Sequence, residues 1–302
     1  MPFLSALYHR VALFGAALLL VVAGQAQAQG QPQPAIWQIE GKTATVYLLG
    51  TIHLLEPGMA WRSPAIDRAV ANAEALWLEV DQSAAAGPAF QAHVAARGLD
   101  PQGPGLSSLL GPDLSAQFAG LTQELGVPAT AFEPMRPWFA AVTLTLVYTQ
   151  RQGYDPQSGV EAVLERDFRD AGKPVHALEK PEQAIAALAD QSLEGQKALL
   201  VDTIDQLADG GAVLDAMAAA WQAGDLKALK ELALTPIQQH QEAYQALLVD
   251  RNRAWLPQIE AVIAGRGRHL VAVGAAHLIG DDGLVAMLQA RGHPINRLEA
   301  VP

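Results

Sequence analysis

Two copies of one short pattern are the first residues with types and spacing suited to chemistry. Leu49-Gly50-Thr51-Ile52-His53-Leu54 lies near the start, and Val273-Gly274-Ala275-Ala276-His277-Leu278 near the end. In 302 residues with 26 Gly and 8 His, about 0.7 Gly-x-x-His spacings arise by chance, so spacing alone carries little. Context carries more. Each copy directly follows an apolar run, 45–50 and 270–274, that reads as a buried strand. Glycine at a strand exit permits close backbone approach. Imidazole can hold a divalent ion or move a proton near neutral pH. If the two strands are neighbours, both rings reach the crevice beyond the carboxyl ends of a parallel sheet, where ligands bind. The bland alternative has each ring hydrogen-bonded to nearby backbone.

Three carboxylates and one guanidinium are candidates to join them. Glu79 interrupts an otherwise apolar run, 75–80, and a buried carboxylate is costly unless paired or ligating. A half-exposed edge strand would equally place it in water. Glu179 ends a third apolar run, 175–178, but could also start a helix before Pro181. Glu161 completes Ser158-x-x-Glu161, a capping box in which it would merely satisfy a backbone N–H. Arg251 precedes the second histidine on a helical segment, where a guanidinium could hold a carboxylate or a substrate carbonyl.

The elements that must position these residues follow from periodicity. Strands are expected at 45–50, 75–80, 175–178, 270–274 and 295–298. A helix begins at Ser63-Pro64, and the first two strands form a βαβ unit with a parallel pair. Helical patterns fill 83–153, with the apolar helix 138–148, then 158–171, 181–265 and 283–290. The fold class is α/β: a central, mostly parallel sheet with flanking helices and an inserted helical lobe, about 83–154 and 181–264.

Composition narrows the partners. Lys and Arg number 20 against 31 Asp and Glu, a net charge of −11, and no basic cluster occurs, so nucleic acid is not expected. There is no cysteine, so any ion must be held by His, Asp or Glu. The run 11–24 followed by Ala26-Gln27-Ala28 reads as a signal peptide, 1–28, cleaved after Ala28. Periplasmic or secreted location, a domain over 29–302 and no transmembrane segment after cleavage are the corresponding expectations. The run is shorter than a bilayer span.

These motifs together resemble the TraB/GumN family, which shares its domain with the Tiki proteases. The likeness rests on Gly50-Thr51-Ile52-His53, Leu78-Glu79-Val80-Asp81, Gly159-Val160-Glu161, Gly172-Lys173-Pro174-Val175 with Leu178-Glu179, Trp221 with Gly224-Asp225, Arg251-Asn252, and Gly274-Ala275-Ala276-His277. It implies a ChaN-like fold and metal-dependent hydrolysis of a peptide or protein substrate in the cell envelope. In that reading His53, His277 and Glu79 hold a divalent ion (Zn, Mn or Co). Glu179 or Glu161 serves as general base, and Arg251 stabilises the oxyanion. The alternatives are a non-catalytic binding protein for haem or an envelope ligand, and an accessory of polysaccharide export.

Overall fold

The computed structural model describes residues 32–298. The expected leader, 1–28, lies outside the described residues. Six strands form one mixed sheet: β1 (Ile36–Glu40), β2 (Ala44–Thr51), β3 (Ala75–Leu78), β4 (Val175–Ala177), β5 (Gly267–Gly274) and β6 (Ile295–Arg297), in the order β4-β3-β5-β2-β1-β6. The pairs β2–β5, β3–β5 and β3–β4 are parallel, while β1 runs antiparallel to both β2 and β6. The protein is an α/β protein with helices on both faces of the sheet.

Alternation along the central strands explains their apolar sequences. Val46 and Leu48 of β2, with Val271 and Val273 of β5, enter one buried cluster. Tyr47, Leu49, Leu270 and Ala272 enter the other. A strand covered on both faces needs apolar residues at every position, so β2 and β5 read as unbroken runs.

Helix α1 (Pro64–Asn72) starts as expected, with Ser63 Oγ accepting the Ile66 N–H at 3.3 Å. Between β3 and β4 lie α2 (Pro88–Gly98), α3 (Pro112–Glu124), α4 (Pro137–Arg151) and α5 (Val160–Asp170). Helix α4 is buried along nearly its whole length, which explains a sequence apolar all round. Between β4 and β5 come α6 (Pro181–Ala189), α7 (Leu193–Ala208), α8 (Ala212–Ala223) and α9 (Asp250–Ala264), and α10 (Leu284–Ala290) follows β5. Helices α9 and α10 cover one sheet face. The other is covered by α1, α5 and the helical insertions, whose apolar sides share its core. Among the described residues no helix is long and apolar enough to cross a membrane.

Two expectations need correction. Strand β1 is absent from the periodicity reading because Gln38 and Glu40 dilute a five-residue edge-side strand. The first two expected strands, β2 and β3, are parallel but do not pair. Strand β5, from the far end of the chain, sits between them. The crossover through α1 leaves one strand width open, and only a distant segment can fill it.

Candidate active site

All four parallel strands end on one edge, and the chemistry gathers there. Glycine 274 is opposite Thr51 in the β2–β5 register, so the two Gly-x-x-His turns leave the sheet side by side. Strand pairing between β3 and β4 continues one step further, with the Glu179 N–H donating to the Glu79 carbonyl at 2.9 Å. That places both carboxylates beside the histidine turns. Helix α5 approaches from the opposite side. Its Val160 N–H donates to the Ile52 carbonyl at 3.0 Å, and a Cβ at Gly159 would lie 2.1 Å from the His53 carbonyl oxygen. Only glycine permits that approach, and it carries Glu161 to His53.

Arg251, in the first turn of α9, is the hub of the cluster. Its Nε and Nη2 donate to Glu179 Oε1 at 3.0 and 2.6 Å, and Nη2 also donates to Glu79 Oε2 at 2.6 Å. Nη1 donates to the Leu247 carbonyl at 3.2 Å and faces His277 Nε2 at 3.1 Å. A guanidinium has five N–H donors, and these contacts occupy all five. Arg251 therefore contributes charge and position, and has no N–H left for an oxyanion. Glu179 is likewise committed, because its Oε2 accepts the Trp255 indole N–H at 3.1 Å. It is an orienter of Arg251, and the general-base role expected for it does not fit these bonds.

Glu79 is 4% exposed, which removes the half-exposed-strand alternative. Its Oε1 accepts the Gly274 N–H at 2.6 Å. Burial pushes its pKa up, but Arg251, followed by His277 and His53, brings it down to about 2. Burial outweighs Arg251 at Glu179 and raises its pKa.

The two histidines diverge. For His277, burial is the main cause of a pKa lowered to about 3; Glu79 opposes it and Arg251 reinforces it. For His53, burial also lowers the pKa, but the Glu161 carboxylate overrides it through charge and a hydrogen bond, and the net shift is upward. The His53 Nδ1 lies 2.8 Å from Glu161 Oε1, which also accepts the Thr51 hydroxyl. The capping-box reading of Glu161 is not realised. Gly159 is the N-cap of α5 without a side-chain cap bond, and Glu161 points at His53 instead.

The profile of the TraB/PrgY/gumN family matches residues 35–297. The chain belongs to this family. It is 28% identical over 248 residues to YbaP, an uncharacterized protein of Escherichia coli (strain K12), covering 80% of this chain and 87% of YbaP. YbaP of Shigella flexneri matches to the same extent. No solved structure matches the chain significantly. Each stretch that carried the resemblance in the sequence lies within the matched residues, including both Gly-x-x-His turns.

For this member of the TraB/PrgY/gumN family, an ion must be weighed against the side chains present. The donor types suit one: both imidazoles have Nδ1 tied to an acceptor, Glu161 Oε1 or Asn252 Oδ1, which leaves each Nε2 as a lone pair. A Cβ built on Gly274 would lie 3.2 Å from Glu79 Oε1, 3.5 Å from His53 Nε2 and 3.6 Å from His277 Cδ2, so the three surround a space that this glycine keeps open. As placed, however, no three His, Cys, Asp or Glu side chains among the described residues close on a common point. Glu79 and His277 close on Arg251 instead.

Sequence reasoning brought together His53, Glu79, Glu161, Glu179, Arg251 and His277, and the structure places all six at one site. It passed over Thr51, Asn252 and Trp255 as site residues. Their signal was available: Arg251 and Trp255 are four apart on one helix face, and the Arg251 guanidinium lies 4.7 Å from the Trp255 ring centre. The Trp255 ring in turn packs 4.5 Å from that of His277.

Proposed function

We propose that the protein is an exported hydrolase of peptide bonds in which His53 is the general base. The observation that carries this reading is the His53–Glu161 pair at the strand ends. Nδ1 donates to a carboxylate, and Nε2 faces the open space over Gly274 bounded by Glu79 and His277. An imidazole held this way keeps one tautomer and becomes a stronger base. His53 takes a proton from water at Nε2 as the water oxygen attacks the carbonyl carbon. It returns that proton to the leaving amine nitrogen as the C–N bond breaks. Glu161 stabilises the imidazolium formed in between. The split between a histidine whose pKa is raised and one held neutral marks acid–base work by one and fixed polarity by the other. The substrate class rests on the resemblance to the Tiki proteases.

The two bare Nε2 atoms favour a second reading. In it His53, His277 and Glu79 would hold Zn, Mn or Co, and a bound ion supplies a water of lowered pKa and polarises the carbonyl. His53 Nε2 would then be a ligand and not a base.

Turnover of fluorescein-labelled casein by the purified protein tests both. His53→Gln should lower kcat by about 10²–10⁴-fold. The acid limb of kcat/KM should lie above pH 6.5 and move to lower pH in Glu161→Gln, because the group that raises the His53 pKa is gone. Activity that survives exhaustive chelation supports the base reading. Loss on chelation, with recovery on adding Zn, Mn or Co, supports the ion reading. Stoichiometric capture without turnover would end both.

A further inference from the structure

The third residue of α9, Asn252, is 1% exposed and lies against the second histidine turn. Its Nδ2 donates to the Asp282 carbonyl at 2.8 Å and to the His277 carbonyl at 3.3 Å. Both are acceptors only, so the amide has one orientation, and the atom 2.7 Å from His277 Nδ1 must be Oδ1. An amide oxygen only accepts. His277 Nδ1 must therefore carry the hydrogen.

The other side of the ring gives the same answer independently. Arg251 Nη1 lies 3.1 Å from His277 Nε2, and a guanidinium can only donate, so Nε2 must be the bare nitrogen. Two groups of opposite character thus read the ring the same way, within a site where His277 is 3% exposed. Moving its hydrogen would set a donor against Arg251 and leave Asn252 Oδ1 facing a lone pair, and flipping the ring would turn carbon atoms to both partners. Tyr244 closes the arrangement by donating its hydroxyl to Asp282 Oδ2 at 2.8 Å, which ties the 281–283 turn to the same anchor.

We infer that Asn252 is a positioning residue: it fixes His277 as the Nδ1–H tautomer, so that the Nε2 lone pair faces Arg251 and Glu79. Asn252 touches neither the space over Gly274 nor a reacting atom, and acts only through His277. The inference rests on the hydrolase reading for its catalytic consequence, and on hydrogen bonding alone for the tautomer.

The test uses protein labelled with 15N-histidine, with His277 assigned by its disappearance in His277→Gln. At neutral pH the wild-type spectrum should show Nδ1 as the protonated, pyrrole-type nitrogen and Nε2 as the bare, pyridine-type one. Asn252→Leu keeps volume and removes the amide. It should give a mixed or inverted tautomer at His277, unchanged signals at His53, and kcat on labelled casein lower by about 10–100-fold with little change in KM. A purely structural role for Asn252 would move stability and leave the His277 tautomer alone. A wild-type His277 bare at Nδ1 overturns the inference, as does an Asn252→Leu protein with wild-type tautomer and kcat. If Asn252→Leu does not fold, the wild-type spectrum still decides the tautomer, and Asn252→Ser gives the variant. The expected tautomer with no turnover of any peptide or protein would defeat the hydrolase reading alone. Turnover with the opposite tautomer would defeat this one alone.

Discussion

At the end of β2, His53 donates its Nδ1–H to the Glu161 carboxylate. At the end of β5, the hydrogen-bonded neighbour of β2, His277 donates its Nδ1–H to the uncharged Asn252 amide and receives a guanidinium N–H at Nε2. The sequence pattern is the same, Gly-x-x-His on a buried parallel strand. The partners come from elsewhere: α5 serves His53 and α9 serves His277. A carboxylate partner favours the charged ring, and the Asn–Arg pair favours the neutral one. The glycines differ as well. A Cβ on Gly50 would meet the Ala275 backbone Cα at 3.2 Å, whereas one on Gly274 would meet functional side-chain atoms. The first glycine serves packing and the second keeps space for a ligand. Duplicated spacing in a sequence therefore marks a shared position in the fold and leaves open whether the two copies share a job.

The largest effect should fall on the His277 half. Arg251→Leu leaves Glu79 and Glu179 buried beside each other without their cation, and should cost about 3–5 kcal/mol in urea unfolding. In the His53 half, Glu161→Gln removes one partner of a less enclosed ring and should cost about 1 kcal/mol. Equal losses would show that the two halves are energetically alike.

The glycines separate stability from activity. Gly274 has φ −48° and ψ 135°, a conformation open to alanine, so Gly274→Ala should remain folded and lose at least about tenfold in kcat/KM as its methyl fills the ligand space. Gly50→Ala must push a backbone atom and should cost about 1–3 kcal/mol of stability. Gly274→Ala with full activity would move the reacting position away from that strand end.

The smallest effect is in pH dependence. A histidine whose folded pKa is lowered binds its proton only in the unfolded chain, so His277 makes stability fall as pH drops below 6.5 towards 3. A histidine whose folded pKa is raised does the reverse: the stability that His53 contributes is fully present below pH 6.5 and is lost as pH rises through its folded value. The two act on opposite sides of pH 6.5, His277 below it and His53 above it, each with a slope of at most about 1.4 kcal/mol per pH unit. Thermal unfolding of His277→Leu should lose the decline below pH 6.5, and His53→Leu should lose the decline above it. Identical pH profiles for the two variants would contradict opposite protonation.

Much of the site was legible because its signals are local. A carboxylate inside an apolar run, as at Glu79, and a histidine just past a buried strand, as at His53 and His277, violate the cheapest use of those positions. The violation points to a function before any contact is known. The strand identities of β2, β3, β4 and β5 were legible for the same reason, since strands covered on both faces advertise themselves by composition. The family assignment draws on those stretches too. Strand order was not legible. Nothing in 45–80 records that β5 separates β2 from β3, because that choice depends on a segment almost two hundred residues away.

The sequence by itself determined which residues could do chemistry, that an α/β sheet would carry them, and that no thiol takes part. The tertiary structure alone decided what each one does. Side chains of one type acquire roles from the sign and reach of their neighbours, and those neighbours arrive from separate elements. Glu161 became the partner of a histidine and not a helix cap because Gly159 lets α5 touch the end of β2. Glu179 became an orienter because Arg251 and Trp255 take up its oxygens. Arg251 lost the freedom to stabilise an oxyanion because four partners share its five donors. Hydrogen-bond valence is a three-dimensional constraint, and only the folded arrangement shows where each donor is spent.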